Sequence, residues 1–289
     1  MKRFFCVLLA VLFLGFPGCA TSSDAQILAT TLPVYEFTTR LCTGTGLQVA
    51  RLIDQDISCL HDYTLTVSQM RAAESAQVTV ISGAGLEEFL DGVLGARQID
   101  ASQSLTLLET EHHHDHDAAH GHVHADDPHI WLSPANANVM AHNICHGLQE
   151  AFPQYAAVFE ENLAGLISDL DQLQQYGEEQ LKDLSCRELI TFHDGFSYLA
   201  ESFDLTILKA VEEEAGSEAS AATLINLATL VDDHDLPAIF TERNGSTAAA
   251  GVIAAETGAQ VYALDMAISG DSYFDAMYRN INILKEALQ

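Results

Sequence analysis

The chain has 289 residues, with 41 acidic side chains against 12 basic ones and a formal charge of -29 at neutral pH. Nucleic-acid binding needs a basic footprint, so this balance excludes it, while the surplus of carboxylates suits solubility and mildly concentrates cations. The length fits two modest domains, and after the N-terminal stretch no apolar run reaches membrane-spanning length.

The chain begins MKRFFCVLLAVLFLGFPGCATSS. Lys2 and Arg3 form a basic start, and Phe4 to Phe16 is an apolar stretch too short to span a bilayer as a mature helix. Residues 1–18 therefore read as a secretory signal peptide. Gly18-Cys19-Ala20 resembles the lipobox of bacterial lipoproteins, in which Cys19 would be acylated and become the new N-terminus, with 19–26 as a linker. The rival is a plain signal peptide cut after Ala20. Either reading predicts an exported protein on the extracytoplasmic side of the cell membrane.

Cys42, Cys59, Cys145 and Cys186 remain beyond that segment. An exported chain with an even number of cysteines can form disulfides, and Cys42 and Cys59, which flank a predicted strand, are the candidate pair. Buried thiols or soft metal ligands are the alternatives. No CxxC is present, which argues against a thiolate zinc knuckle.

Residues 27–32, 49–53 and 78–82 read as strands, and 34–41, 68–74 and 86–94 as helices. Strands alternating with helices predict a parallel sheet, here in an N-terminal α/β lobe over residues 27–150. Residues 109–127 interrupt it with a His-rich segment that has almost no apolar side chains and is predicted to be a loop. It carries His112, His113, His114, His116, His120, His122 and His124. The bland reading is a solvated loop with no task of its own. The functional reading is auxiliary, weak zinc capture, weak because each site must order the chain in order to bind.

From Phe152 to Leu184 apolar residues recur mostly at three and four, among them Phe159, Leu163, Leu166, Leu170, Leu173 and Leu181. This predicts a long amphipathic helix, assigned to a connector over 151–185. A coiled-coil dimer is the rival, weakened by Gly177 where the stripe should continue. Alternation then resumes over 186–289, with strands at 189–193, 206–211, 238–242 and 260–265 and helices at 197–203, 220–232, 246–257 and 273–288. The expected fold is α/β: two lobes, each with a mainly parallel sheet flanked by helices, joined by one long backbone helix. Ligands of open α/β sheets bind beyond the carboxyl ends of the strands, so the cleft between the lobes is the default site.

Single histidines outside the His-rich run fall at suggestive places. His61 follows a predicted strand, His129 sits in DPHIWLSP, His193 ends the strand LITFH, and Asp265 ends the strand QVYALD. Three imidazoles and a carboxylate fit a near-tetrahedral zinc site, whereas manganese or calcium would want more oxygens. Ligands contributed by separate strand ends have no local signature, and each histidine alone is more often a partly buried polar residue or a cap.

Four segments, taken together and in order, carry a resemblance: CLHDYTLTVSQ (59–69), DDPHIWLSP (126–134), TFHDGFSYL (191–199) and YALDMAISGDSYF (262–274). Asn162 and FTERNGS (240–246) also fit. The set resembles the metal-specific solute-binding proteins of ABC importers, the zinc and manganese receptor lipoproteins, over essentially the whole mature chain. The resemblance implies a metal held between two lobes by His61, His129, His193 and Asp265. His193 stands where manganese members usually have Glu, which points to Zn2+ as cargo and away from Mn2+. The His-rich loop is likewise a feature of zinc members.

The resemblance further implies an ABC permease and its ATPase subunit as partners, since the chain has no GxxxxGK[ST] loop of its own. It implies membrane attachment through the lipid anchor, a monomer, and binding without catalysis. There are departures. The family's Pro-His-Asp-Tyr-Glu-Pro is here Leu60-His61-Asp62-Tyr63-Thr64-Leu65, and Glu242 is followed by Arg243 where a proline is common. Water can replace the carboxylate ligand in zinc members. Asp62, Asp194 and Glu242 are candidates to orient a ligand's second ring nitrogen. Two other readings compete. One is a zinc hydrolase, for which a recognisable general base is missing. The other is a metal-storage or adhesin lipoprotein that would use the His-rich run alone.

Overall fold

Two four-stranded parallel sheets organise the computed structural model, which describes residues 25–57, 60, 63–93, 97–110, 125–211 and 220–289. The first sheet comes from β1 (Ile27–Ala29), β2 (Val49–Arg51), β3 (Val78–Ile81) and β4 (Gln98–Asp100), in the order β2-β1-β3-β4. Helices α1 (Leu32–Leu41) and α2 (Val67–Ser75) connect its strands. Every residue of β1 and β3 is buried, as expected for parallel strands covered on both faces. A short antiparallel pair follows, β5 (Glu109–Thr110) with β6 (Ala125–Asp126), and then α3 (Pro134–Ala151). Ser133 caps α3 by accepting from the Asn136 N–H, with Pro134 in the first turn.

A 3₁₀ turn at Pro153–Tyr155 leads into α4 (Ala156–Leu181), which is 26 residues long and joins the two sheets. The second sheet uses β7 (Glu188–Thr191), β8 (Thr206–Ala210), β9 (Ala238–Glu242) and β10 (Gln260–Leu264), in the order β10-β9-β7-β8. Its helices are α5 (Ser197–Ser202), α6 (Ala221–Asp233), α7 (Ala248–Thr257) and the closing α8 (Tyr273–Leu288). The expected fold class is therefore observed.

Three local expectations differ. Within the expected helix 86–94, residues 86–93 form only a 3₁₀ turn at Glu88–Leu90 between other turns, because Gly85 and Gly92 on either side of that turn sit at φ +81° and +79°, outside any right-handed helix. The long helix starts at Ala156, and α3, which the sequence reading did not anticipate, precedes it. Gly177 does not interrupt the buried stripe of α4. A Cβ there would come 2.2 Å from the Phe203 ring, so glycine is what lets Phe203 pack against the helix.

One apolar core runs through both lobes and includes Phe37, Trp131, Phe159, Tyr273 and Met277. A smaller one, with Ile190, Leu227, Val231, Ile239 and Ile253, lies in the C-terminal lobe. The lobes are joined by more than α4. Leu32 N–H donates to Ile268 O (3.1 Å), Trp131 Nε1 to Met266 O (2.7 Å) and Tyr273 Oη to Trp131 O (2.8 Å). Arg40 of α1 pairs with Asp169 of α4. Among the described residues no helix is long and apolar enough to cross a membrane. Cys42 is buried, and burial pushes its thiol up to about 12. Cys19, Cys59 and residues 1–18 lie outside the described residues.

Glu87 is the buried acid of the N-terminal lobe. Its Oε1 accepts from Thr30 Oγ1 (2.7 Å) and Ser82 N (2.8 Å), and its Oε2 from Gly83 N (3.0 Å). Burial outweighs these donors and raises its carboxyl to about 7 from an ordinary 4.5. The folded state thus keeps this proton longer than the unfolded chain. Its contribution to stability is fully present below about 4.5 and is lost as pH rises through about 7. We expect Glu87→Gln to flatten the pH dependence of stability across that window relative to the parent. Denaturation midpoints at pH 5 and pH 7.5 check this, and parallel curves for the two proteins would disprove it.

Candidate metal centre

His129 stands just before the 3₁₀ turn Ile130–Leu132, and His193 lies two residues past β7. Each is placed by an apolar neighbour in the core, Ile130-Trp131-Leu132 on one side and Phe192 with Phe196 on the other. The two rings meet. Their Nε2 atoms are 3.5 Å apart, and both side chains are buried, with 2% and 0% exposure. One zinc ion at the usual ~2.0–2.1 Å from each nitrogen, in tetrahedral geometry, would hold them about 3.4 Å apart.

The opposite side of each ring faces a buried carboxylate. Asp127 Oδ1 lies 2.8 Å from His129 Nδ1 and also accepts from the His129 backbone N–H at 2.9 Å. Glu242 Oε1, at the end of β9, lies 3.1 Å from His193 Nδ1. A carboxylate at Nδ1 places the ring proton there and turns the Nε2 lone pair toward the partner ring. Two such lone pairs converging at this distance could share one cation, and the two carboxylates would supply compensating charge. Trp131 packs edge-on against His129, with centroids 5.5 Å apart. Gly195 leaves the space that His193 occupies, since a Cβ there would approach the ring to 2.6 Å.

Of the orienting carboxylates expected from sequence, Glu242 is in place and Asp194 is half-buried beside His193. Asp127 and Gly195 were missed. Asp127 sits two residues before its histidine, a spacing from which an Asx-type contact to the following backbone could have been inferred.

Asp265 directly follows β10 and is engaged differently. Its Oδ2 takes Arg243 Nη1 at 2.9 Å and Arg279 Nη1 at 2.8 Å, and its Oδ1 accepts from the Ala267 N–H at 2.9 Å. The structure therefore brings His129 and His193 together and gives the Asp265 carboxylate to two guanidinium groups. Among the described residues no three His, Cys, Asp or Glu side chains gather as a metal cluster. His61, Asp62 and the histidines from 112 to 124 lie outside the described residues.

The chain as a whole is similar to known metal-binding and zinc-uptake proteins. Residues 27–287 match the family model described as "ZnuA: Zinc-uptake complex component A periplasmic". The chain is 28% identical over 289 residues to a putative metal-binding protein of Treponema pallidum (strain Nichols), covering 95% of this chain and 90% of that one. It is also 28% identical over 307 residues to the high-affinity zinc uptake system protein ZnuA of Bacillus subtilis (strain 168), covering 97% and 96%. Among solved structures, a crystal structure of ZnuA superposes with a TM-score of 0.79 at 29% identity, over 92% of this chain and 100% of that one.

Proposed function

This chain belongs to the family of the periplasmic component A of zinc-uptake complexes, and from that membership we propose that it is an extracytoplasmic receptor that binds Zn2+ with high affinity and delivers it to an ABC permease for import. The observation that carries the reading is the 3.5 Å approach of the His129 and His193 Nε2 atoms, each ring backed by a buried carboxylate. Nitrogen donors suit zinc better than manganese, which prefers oxygen. Zinc is the cargo, so the cycle needs tight and reversible binding rather than turnover. A separate permease and its ATPase supply passage and energy, and acylated Cys19 holds the receptor at the membrane.

In this reading His61 supplies the third imidazole. The fourth position falls to Asp265 or to water, and Asp265 must turn away from Arg243 and Arg279 to take it. The histidines from 112 to 124 collect zinc weakly near the cleft, outside the tight site.

The test is replacement of the seven histidines from 112 to 124 by serine, which leaves β5 and β6 intact. The parent should bind one zinc tightly and further zinc weakly by titration calorimetry. The substituted form should keep the tight one-to-one site and lose the weak ones. Loss of the tight site with those histidines would refute the receptor reading and leave metal storage in its place.

A further inference from the structure

The hairpin that bears the His-rich run contains a side-chain hydroxyl in its ladder. Glu109 pairs with Asp126, so the next opposed pair is Leu108 with Asp127. Opposed residues of a hydrogen-bonded antiparallel pair normally exchange two backbone bonds. Here only one is direct, from Asp127 N to Leu108 O at 2.7 Å. The return bond passes through Tyr198: Leu108 N–H donates to Tyr198 Oη at 2.9 Å, and Tyr198 Oη donates to Asp127 O at 3.0 Å. One proton and two lone pairs let a phenol do both. Burial, followed by the nearby Asp127, Asp126 and Glu201 carboxylates, pushes this phenol up to about 12, so the donated proton stays in place at neutral pH.

The consequence reaches the metal centre. Asp127 is held at its N–H by Leu108, at its carbonyl by Tyr198 and at its carboxylate by the backbone N–H and the Nδ1 of His129. Tyr198 lies in α5 of the C-terminal lobe, in the helix that follows His193. A single hydroxyl therefore connects the segment carrying one histidine to the segment carrying the other. We propose that Tyr198 is a positioning residue for metal capture, whose hydroxyl holds the Leu108–Asp127 rung open at the width at which Asp127 aims His129 at His193. Without it, Leu108 N–H and Asp127 O are left to close on each other directly, which draws Asp127 toward Leu108 and turns the His129 ring. The inference rests on the receptor reading, because zinc is the probe.

The test is a double-mutant cycle on zinc affinity, with Tyr198→Phe and Asp127→Asn in the full mature chain. Tyr198→Phe keeps the ring in the core and should weaken zinc binding about tenfold, the scale of groups that orient metal ligands. If Tyr198 acts through Asp127, the same change in the Asp127→Asn background should matter less than about twofold, since coupled residues are not additive. Equal losses in both backgrounds, or a Tyr198→Phe protein within about twofold of the parent, overturn the proposal. A measurement on the parent alone guards against a poorly folded variant: zinc should slow hydrogen exchange of the Leu108 amide, and an amide indifferent to zinc overturns the proposal as well. A parent that binds no zinc would instead remove the receptor reading itself.

Discussion

His193→Ala is expected to weaken zinc binding by about a hundredfold or more. Zinc held by a full set of protein ligands gains about 10–16 kcal/mol, or roughly 3 kcal/mol for each of four donors. At about 1.4 kcal/mol per tenfold, that is two orders of magnitude in affinity. His193 is completely buried and its Nε2 is 3.5 Å from that of His129, so water cannot take up the lost contact in the same geometry without rearrangement. The substitution also takes the imidazole from beside the Glu242 carboxylate, 3.1 Å away and itself buried. The metal-free protein should then lose about 1–3 kcal/mol of stability, the scale for depriving a buried polar group of a partner. Competition with a chromophoric chelator reads the affinity, and denaturant titration of the metal-free form reads the stability. A variant that binds zinc within tenfold of the parent would remove His193 from the ligand set.

Trp131→Ala is expected to destabilise the fold by about 3–5 kcal/mol, the usual range for emptying a large buried aromatic site. The indole is fully buried in the core shared by the lobes. Its Nε1 donates across to Met266 O, and its own carbonyl accepts from Tyr273 Oη. Truncation leaves a cavity and also leaves Met266 O without this donor. Because the ring packs edge-on against His129, the variant should bind zinc more weakly too. Trp131 is the only tryptophan, so unfolding has to be followed by circular dichroism. A loss under about 1 kcal/mol would mean that the site collapses onto itself and that Trp131 does not hold the lobes together.

Some elements were legible because burial leaves a mark on local composition. β9 at Ala238–Glu242 and α8 at Tyr273–Leu288 lie where alternation and helical spacing predict them. α3 escaped notice because its buried side is built from Ala137, Met140, Ala141, Ile144 and Cys145, interleaved with Asn and His, a weak apolar stripe. The turn at Glu88–Leu90 reads as a helix in sequence because Leu and Glu favour one, while glycines at positive φ on either side forbid it. In the sequence Arg243 is only a departure from a motif. Its partner Asp265 is 22 residues away, and no spacing rule connects the two.

Alternation, the amphipathic stripe of α4 and the order of four motifs were enough to specify two parallel α/β lobes, the family, and His129 and His193 as residues to watch. These are properties of short stretches of chain, and a buried strand or helix face imprints them on its own sequence. The meeting of two Nε2 atoms 64 residues apart is of another kind. So are the commitment of Asp265 to Arg243 and Arg279 and the Tyr198 hydroxyl in the Leu108–Asp127 rung. The first and third depend on how the two lobes are set against each other by α4 and by the Trp131 and Tyr273 contacts, and the second on how α8 meets the ends of β9 and β10 within the C-terminal lobe. Each relation is a distance in space, and local periodicity does not encode it.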